Sequence, residues 1–380
     1  MTPLERRSVD LRDISVSLVT TYPPTRCGIG RFSHSLVSAW RRTAPNARVG
    51  VARIAATDTA TAGQDVELIF DPSSPVARRS AARRLSQSEA VILQHEYGIY
   101  GPDDGIAVID LVQRIEAPVV SVIHTVLPAP TPRQREIIER LGRAGTLVLL
   151  SKVARDQLLQ NHDVDPSGVA VIPHGSSWVA RGWVPRPRRR KLITWGLLGP
   201  GKGVERALHA LARLRLDPPV TYDVVGQTHP NVLARYGQEY RSSLESLSRD
   251  LGLQDRVRFV DRYVVDDELE MMVSDADLVI VPYDNHEQVS SGVLTDAVAI
   301  GKPVVATAFP HARELVGAGS GRMVSHEPGA IAAAIEELLT DDDSYARAAA
   351  RAAELSPTLS WNGVAAAYLE LIRSRTSVVA

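Results

Sequence analysis

The stretch from Leu278 to Ala306 constrains the fold of this 380-residue chain more than any other. It contains an apolar segment, a polar turn, a helical segment that opens with Ser290, Ser291 and Gly292, and a second apolar segment. This order predicts a βαβ unit, in which the two strands are parallel. The first N–H groups of such a helix have no partner within it and lie at the positive end of its dipole, which favours a phosphate. An ordinary serine N-cap is the alternative.

Length and composition predict a soluble globular protein with two domains. The length exceeds what one hydrophobic core normally holds, and 44% hydrophobic with 23% charged residues is typical of globular chains. The net charge of −1 argues against binding to nucleic acid. The only cysteine, Cys27, cannot form an internal disulfide, which favours a cytoplasmic location. We find no signal-peptide pattern and no apolar run long enough for a transmembrane helix.

Short apolar segments alternate with helical patterns along the chain, which predicts parallel sheets covered by helices on both faces. The first segment of each half, at 14–20 and 192–195, leads into a glycine-containing loop and a helical pattern. We therefore predict an α/β fold with two facing Rossmann-like domains and a central cleft, over residues 1–185 and 191–358. A proline- and arginine-rich segment near residue 185 predicts a linker, although its charge also suits an acidic surface.

Four glycines surround Lys202 immediately before a helical segment, at positions 196, 199, 201 and 203. Flexible backbone, a cation and a helix N-terminus together indicate a phosphate site, and a solvated lysine is the alternative. The loop is not a Walker A motif, because glycine follows Lys202 where that motif has Ser or Thr. The other glycine loop, with Gly28 and Gly30, lacks the third glycine of a dinucleotide fingerprint.

Histidines follow several of the apolar segments, where side chains normally face the ligand crevice of a parallel sheet. These are His95, His124, His174 and His229. Together they indicate a lined cleft, although a single histidine in such a place is more often structural. We see no histidine or cysteine spacing typical of a metal site.

The chain resembles the retaining glycosyltransferases of family 4, which have the GT-B fold, in the ordered segments TYPPTRCGIGRF, QHEYGIYG, IPHG, WGLLGPGKG, VGQTHP and QVSSGVLTDAVAIGKPVVA. The resemblance covers roughly residues 14–340. It implies a nucleotide-sugar donor on the second domain, an acceptor on the first, and a C-terminal helix, residues 359–380, that crosses back to the first domain. It also implies that no metal or other cofactor is needed, because a lysine and helix dipoles neutralise the leaving diphosphate.

Matched by position, the resemblance implies that Lys202 contacts the diphosphate and that His124 lies beside the donor sugar. Two glutamates typical of the family correspond here to Gln288 and Asp296. In the family, the first contacts hydroxyls of the donor sugar and the second contacts the ribose. Gln288 lacks the negative charge of a glutamate, and the neighbouring Glu287 is a candidate to supply it. The full set of predicted residues is catalytic Lys202, His124, Gln288 and Arg262; donor-binding Gly28, Gly30, Gly199, Gly201, Glu287, Ser290, Ser291, Gly292, Val293 and Asp296; and acceptor or cleft residues His95, Glu96, Tyr97, His174 and His229.

After Gln288, Leu197 is the second departure from the family pattern, because many members have an arginine at this position. Arg262 is a candidate to supply that positive charge.

The expected activity is transfer of a hexosyl group, from a donor of the GDP-mannose or UDP-glucose type, to a hydroxyl acceptor with retention. A non-catalytic sugar-nucleotide-binding protein and a GT-B epimerase are the alternatives.

Four arginines between residues 78 and 84 allow a peripheral membrane contact, but a solvated helix is the better interpretation.

Overall fold

The computed structural model describes residues 14–25, 27–55, 63–180, 188–284 and 290–376. Its chain divides into two compact units. The first unit comprises Met1–Leu150, Ala154–Pro173 and Trp361–Ala380. The second comprises Ser151–Val153 and His174–Ser360. Most of the linker predicted near residue 185 lies outside the described residues.

The first unit is built on a parallel sheet of seven strands, which are β1 (Ser15–Thr20), β2 (Arg48–Ile54), β3 (Val66–Phe70), β4 (Ala90–His95), β5 (Val119–Ile123), β6 (Gly145–Leu149) and β7 (Val169–Val171). Their order is β3-β2-β1-β4-β5-β6-β7. The helices along this part of the chain are α1 (Gly28–Thr43), α2 (Pro75–Leu85), α3 (Ala107–Val112), α4 (Pro132–Ala144) and α5 (Lys152–Asn161). The strands are rich in Val, Ile and Leu because helices cover both faces of the sheet.

The second unit has a parallel sheet of six strands, which are β8 (Lys191–Trp195), β9 (Thr221–Val225), β10 (Val257–Val260), β11 (Leu278–Val281), β12 (Val304–Thr307) and β13 (Gly321–Val324). Its helices are α6 (Val204–Leu211), α7 (Pro230–Tyr236), α8 (Glu239–Asp250), α9 (Asp266–Asp275), α10 (Gly292–Ala299), α11 (Pro310–Leu315), α12 (Pro328–Thr340) and α13 (Asp342–Leu355). The strand order is β10-β9-β8-β11-β12-β13. The order reverses between β8 and β11, and such reversal points are where open α/β sheets bind ligands.

The last helix, α14 (Trp361–Thr376), belongs to the unit formed by the beginning of the chain. Trp361 is buried, and its ring meets Phe32 of α1 edge-on, with 4.9 Å between the ring centroids. The indole N–H of Trp40 donates to the carbonyl oxygen of Ala365 at 2.7 Å. An apolar face of α14 is therefore part of the core that supports β1 and α1.

The two predicted parallel sheets are confirmed, and most strand boundaries agree to within one or two residues. The edge strand β13, with the sequence GRMV, was not predicted. It lacks both a continuous apolar run and a clear alternation, because an edge strand is covered less completely.

Candidate functional site

The loop between β8 and α6 packs directly against the residues that follow β11. Gly203 has a φ of +64°, and a Cβ at this position would lie 1.8 Å from the carbonyl oxygen of Pro282. The carbonyl oxygen of Gly201 accepts a hydrogen bond from the N–H of Asp284 at 3.0 Å. Only glycine allows both the left-handed backbone and this close approach. The glycine loop is thereby fixed at the point where the strand order reverses.

Lys202 places a cation in this loop. Its Nζ lies 4.2 Å from the centroid of the Tyr283 ring. That ring is buried and stacks on Phe309, with 5.3 Å between the centroids. Within the described part of the chain, no carboxylate forms an ion pair with Lys202. The lysine is therefore held by a cation–π contact, and its charge is available to a bound anion.

Arg206, on the first turns of α6, holds the segment that follows β11. It pairs with the carboxylate of Asp284, and its Nη1 donates to the carbonyl oxygen of His326 at 3.1 Å. The hydroxyl of Thr307 donates to the carbonyl oxygen of Tyr283 at 2.6 Å. The sequence did not single out Arg206, because an arginine in an amphipathic helix is usually a solvated residue. Its partner is 78 residues away.

The helix α10 begins at Gly292, with Ser291 as its N-cap. The Ser291 side chain accepts from the N–H of Leu294 at 3.3 Å, while its own N–H donates to Nδ1 of His311 at 2.9 Å. The N–H groups of Gly292 and Val293 form no hydrogen bond with any described residue. The N–H of Ser291 cannot serve an anion, because it already donates to His311. Of the donors predicted at this helix start, the N–H groups of Gly292 and Val293 therefore remain for a ligand.

The start of α10 lies next to the glycine loop. A Cβ on Gly196 would lie 3.5 Å from Cγ2 of Val293, which is an ordinary contact distance. Asp296 is half-buried one turn further along the same helix. Lys202 and the α10 donors are thus carried by two segments that touch, as a site for one diphosphate requires.

Two histidines lie at the same helix start. A Cβ on Gly292 would lie 3.5 Å from Cε1 and Nε2 of His174, whose Nδ1 lies 2.7 Å from the carbonyl oxygen of Gly175. Burial, and to a smaller extent the nearby His174, lowers the pKa of His311 to about 3. His311 is therefore neutral at pH 7, as an acceptor at Nδ1 must be. The sequence predicted His174 and missed His311.

The loop after β9 adjoins the glycine loop from the other side. The N–H of His229 donates to the carbonyl oxygen of Leu198 at 2.8 Å, and a Cβ on Gly199 would lie 3.8 Å from Cβ of His229. The structure therefore brings together Lys202, Gly199, Gly201, His229, His174, Ser291, Gly292, Val293 and Asp296 around the carboxyl ends of β8, β9 and β11. The predicted Glu287 and Gln288 lie outside the described residues, and Ser290 is the residue before the N-cap.

Arg262 is placed less favourably than expected for a diphosphate contact. It follows β10, the edge strand, and β9 separates that strand from β8. The exposed Arg262 guanidinium forms two hydrogen bonds with the carboxylate of Glu268, one of them 2.8 Å long. Its charge is therefore already neutralised, which makes Arg262 a weaker candidate than Lys202.

In the first unit, His124 is held by a residue that the sequence did not single out. Its Nε2 lies 2.6 Å from Oε1 of Gln94, and its ring meets Phe32 edge-on, with 5.0 Å between the centroids.

Gly28 and Gly30 form the first turn of α1. The Cys27 side chain caps this helix by accepting from the N–H of Gly30 at 3.3 Å.

The expectation that His95 lines a ligand site is at odds with the structure. Its ring is completely buried against Tyr97, neither ring nitrogen has a hydrogen-bond partner in the described chain, and burial lowers its pKa to about 4. Glu96 accepts from the hydroxyl of Thr125 at 2.6 Å. Burial raises the pKa of Glu96 above its usual value. His95 is the last residue of β4, and its side chain is enclosed by the protein.

No group of three or more His, Cys, Asp or Glu side chains in the described residues could hold a metal ion. Nor does any helix in the described ranges have the length and apolar character needed to cross a membrane. Among the four arginines between residues 78 and 84, Arg78 is buried and pairs with Asp110 at 2.7 Å. Arg78 is therefore a structural residue and does not contribute to a basic surface.

Comparison with known proteins relates the second half of this chain to one family. Residues 181–355 match the family described as glycosyl transferases group 1. Two D-inositol 3-phosphate glycosyltransferases are similar to 66% of the chain: that of Salinispora tropica, 28% identical, and that of Frankia alni, 30% identical. The matches span 58% and 64% of the length of these two relatives.

Solved structures are similar over almost the whole chain. HepE of Anabaena, in complex with UDP, has a TM-score of 0.74 and 18% sequence identity, over 95% of this chain and all of that one. The sucrose-phosphate synthase of Thermosynechococcus elongatus has a TM-score of 0.74 and 17% identity, over 96% of this chain and all of that one. At these identities the similarity shows the fold, and the predicted GT-B fold class is confirmed.

Proposed function

We propose that this protein, whose residues 181–355 match the group 1 glycosyltransferases, transfers a hexosyl group from a nucleoside diphosphate sugar to a hydroxyl acceptor. The transfer proceeds with retention at the anomeric carbon and without a metal. One observation carries the proposal: Lys202 and the N–H groups of Gly292 and Val293 lie on adjoining segments, at the point where the strand order of the sheet reverses. These are a cation and two oriented donors for a diphosphate.

In the proposed reaction the bond between the anomeric carbon and the diphosphate oxygen breaks as the acceptor oxygen bonds to the same face of the sugar. The acceptor proton passes to the departing phosphate oxygen. Negative charge grows on the diphosphate, where Lys202 and the start of α10 stabilise it. One preorganised contact of this kind is worth about 3 kcal/mol in the transition state. Asp296 accepts from the ribose hydroxyls.

The choice of donor and acceptor probes follows from the similar proteins. HepE of Anabaena was solved with UDP and with UDP-glucose, which supports testing a uridine diphosphate sugar first and GDP-mannose second. The curated relatives are named for D-inositol 3-phosphate, which supports that compound as the first acceptor. In the cell we expect the reaction in the cytoplasm, where sugar nucleotides are used.

The deciding experiment measures donor binding and product formation with the full-length protein. UDP-glucose and GDP-mannose are tested by thermal shift, with and without EDTA, and then with D-inositol 3-phosphate as acceptor. We expect stabilisation and transfer with one donor, unaffected by EDTA, and an unchanged anomeric configuration by NMR. Loss of transfer in EDTA would contradict the metal-free mechanism. Binding without turnover would support a non-catalytic protein, and conversion of the donor without acceptor would support an epimerase.

A further inference from the structure

Arg206, in the first turns of α6, bonds to two segments that are far from it in the sequence. Its guanidinium forms an ion pair with Asp284, three residues after β11, and its Nη1 donates to the carbonyl oxygen of His326 at 3.1 Å. His326 follows β13 by two residues. Both partners are half-buried, so the contacts are partly shielded from water. Arg206 therefore ties the start of α6 to the carboxyl ends of two strands of the second unit.

The segment that Arg206 holds also supports the glycine loop. The N–H of Asp284 donates to the carbonyl oxygen of Gly201 at 3.0 Å, so this residue contacts the loop through its backbone and Arg206 through its side chain. Gly201 directly precedes Lys202, and Arg206 follows it by four residues. Lys202 therefore lies within a closed ring of contacts, which runs from the loop to Asp284, then to Arg206 and back along the chain.

The same segment carries the aromatic ring that holds the lysine. Nζ of Lys202 lies 4.2 Å from the centroid of the Tyr283 ring. The carbonyl oxygen of Tyr283 lies 3.2 Å from Nε2 of His326. The two partners of Arg206 are thus the chain neighbour of Tyr283 and the residue whose ring contacts its carbonyl oxygen. The position of the aromatic ring, and with it that of the lysine cation, depends on these contacts.

We propose that Arg206 is a positioning residue for Lys202. A lysine side chain is long and flexible, and a cation stabilises a developing negative charge best when its place is fixed before the reaction. Arg206 holds the segment that carries Tyr283, and so keeps the Lys202 ammonium where it meets the diphosphate. The contact with a diphosphate rests on the proposed function, whereas the control of Lys202 by Arg206 does not.

The position of the lysine is measured first, without a ligand. The chain has four lysines, which are Lys152, Lys191, Lys202 and Lys302. Methylation of the amines with a ¹³C label keeps their charge and gives a simple NMR spectrum, in which Lys202→Arg identifies the resonance of Lys202. We expect the Tyr283 ring to shift this resonance upfield in the wild type, and the shift to be largely lost in Arg206→Met. Arg322→Met is the control and should keep the shift, because Arg322 also forms a partly exposed ion pair in the second unit, with Glu337.

The affinities for UDP and for uridine separate a positioning role from general stability. We expect Arg206→Met to weaken UDP binding by about tenfold or more, and to leave uridine binding unchanged, because uridine has no diphosphate. Asp284→Asn removes the charge of the other partner and should weaken UDP binding in the same way. Arg206→Lys keeps the charge but has a single donor group, so it should lose less. GDP and guanosine replace these probes if GDP binds more tightly.

A double variant shows whether Arg206 acts through the lysine. In the Lys202→Met background, Arg206→Met should cause little further loss of UDP affinity, because the cation that it positions is already absent. The same tenfold loss in both backgrounds would show that Arg206 acts independently of Lys202 and would overturn the proposal.

The remaining outcomes distinguish the positioning role from the proposed function. The positioning role is overturned by a Lys202 resonance that is unshifted in the wild type or that keeps its shift in Arg206→Met, and also by equal losses of UDP and uridine affinity. A wild type that shows the shift but binds neither UDP nor GDP would refute the proposed function and leave the positioning role standing. If Arg206→Met fails to fold, Asp284→Asn and Arg206→Lys decide by the same measurements.

Discussion

The backbone N–H of Ser291 donates to Nδ1 of His311 at 2.9 Å, so a buried histidine 20 residues away fixes the N-cap of α10. Nδ1 accepts a hydrogen bond only when it carries no proton, which requires the neutral ring with its proton on Nε2. Burial ensures this by lowering the pKa of His311 to about 3. The helix start that we assign to the donor diphosphate therefore depends on a neutral histidine.

This dependence predicts a specific effect of acid on stability. The folded pKa of His311 lies below the ordinary value of 6.5, so the unfolded chain binds more protons between about pH 6.5 and pH 3. The histidine's contribution to stability is complete above pH 6.5 and is lost as the pH falls. We predict that His311→Asn, which keeps an acceptor but does not titrate, loses less stability on acidification than the wild type. Urea unfolding at pH 7, 6 and 5 measures this.

His95 serves as the internal reference for that experiment, because burial lowers its pKa to about 4 and it is present in both proteins. The wild type and the variant should therefore both lose stability in acid, with slopes that differ by up to about one proton. Equal slopes would show that His311 does not titrate as its burial requires.

Lys202→Met should lower the turnover rate strongly and the stability of the fold only slightly. The methionine keeps the aliphatic contact with Tyr283 but removes the charge that lies 4.2 Å from the ring. We predict a loss of turnover of about 10²-fold or more, with a change in unfolding free energy below about 1 kcal/mol. Initial rates and urea unfolding are measured on the same preparation. Lys152→Met, at an exposed lysine of the second unit, is the control and should keep full activity. Full activity of Lys202→Met would remove Lys202 from the mechanism.

Gly203→Ala should destabilise the second unit by about 3 kcal/mol or more. The substitution adds a strained backbone and a Cβ that would stand 1.8 Å from the carbonyl oxygen of Pro282. Gly252 has almost the same φ, +68°, with nothing within 4 Å of its Cβ position. Gly252→Ala should therefore cost only about 1 to 2 kcal/mol, the price of the left-handed backbone. Equal losses in chemical unfolding would mean that the contact with Pro282 does not matter.

Two aromatic substitutions test how α14 is held in the first unit. Trp40→Phe removes the donor to the carbonyl oxygen of Ala365 and leaves that buried oxygen without its partner. We predict a loss of about 2 kcal/mol in unfolding free energy. Tyr368→Phe removes a buried hydroxyl that has no hydrogen-bond partner in the described chain, and we predict no loss beyond about 0.5 kcal/mol. A greater loss for Tyr368→Phe than for Trp40→Phe would contradict this account of the interface.

Local patterns in the sequence were sufficient for the architecture. Alternating apolar and helical segments predicted two parallel sheets, because a strand buried on both faces must be apolar throughout. The glycines around Lys202 predicted a loop of flexible backbone before a helix, and the structure shows why one of them is needed, at the close approach of Gly203 to Pro282. The edge strand β13 was missed because partial burial leaves no strong pattern.

The sequence by itself therefore determined the fold class, the glycine loop and the start of α10, each of which depends on residues close together in the chain. Only the tertiary structure decided which donors of α10 remain for a ligand and that Arg262 is paired with Glu268. The resemblance implied that the last helix returns to the first domain, but only the tertiary structure showed a contact that holds it there, a hydrogen bond between residues 325 positions apart. Burial and pairing depend on which distant segments meet, and no local periodicity records that.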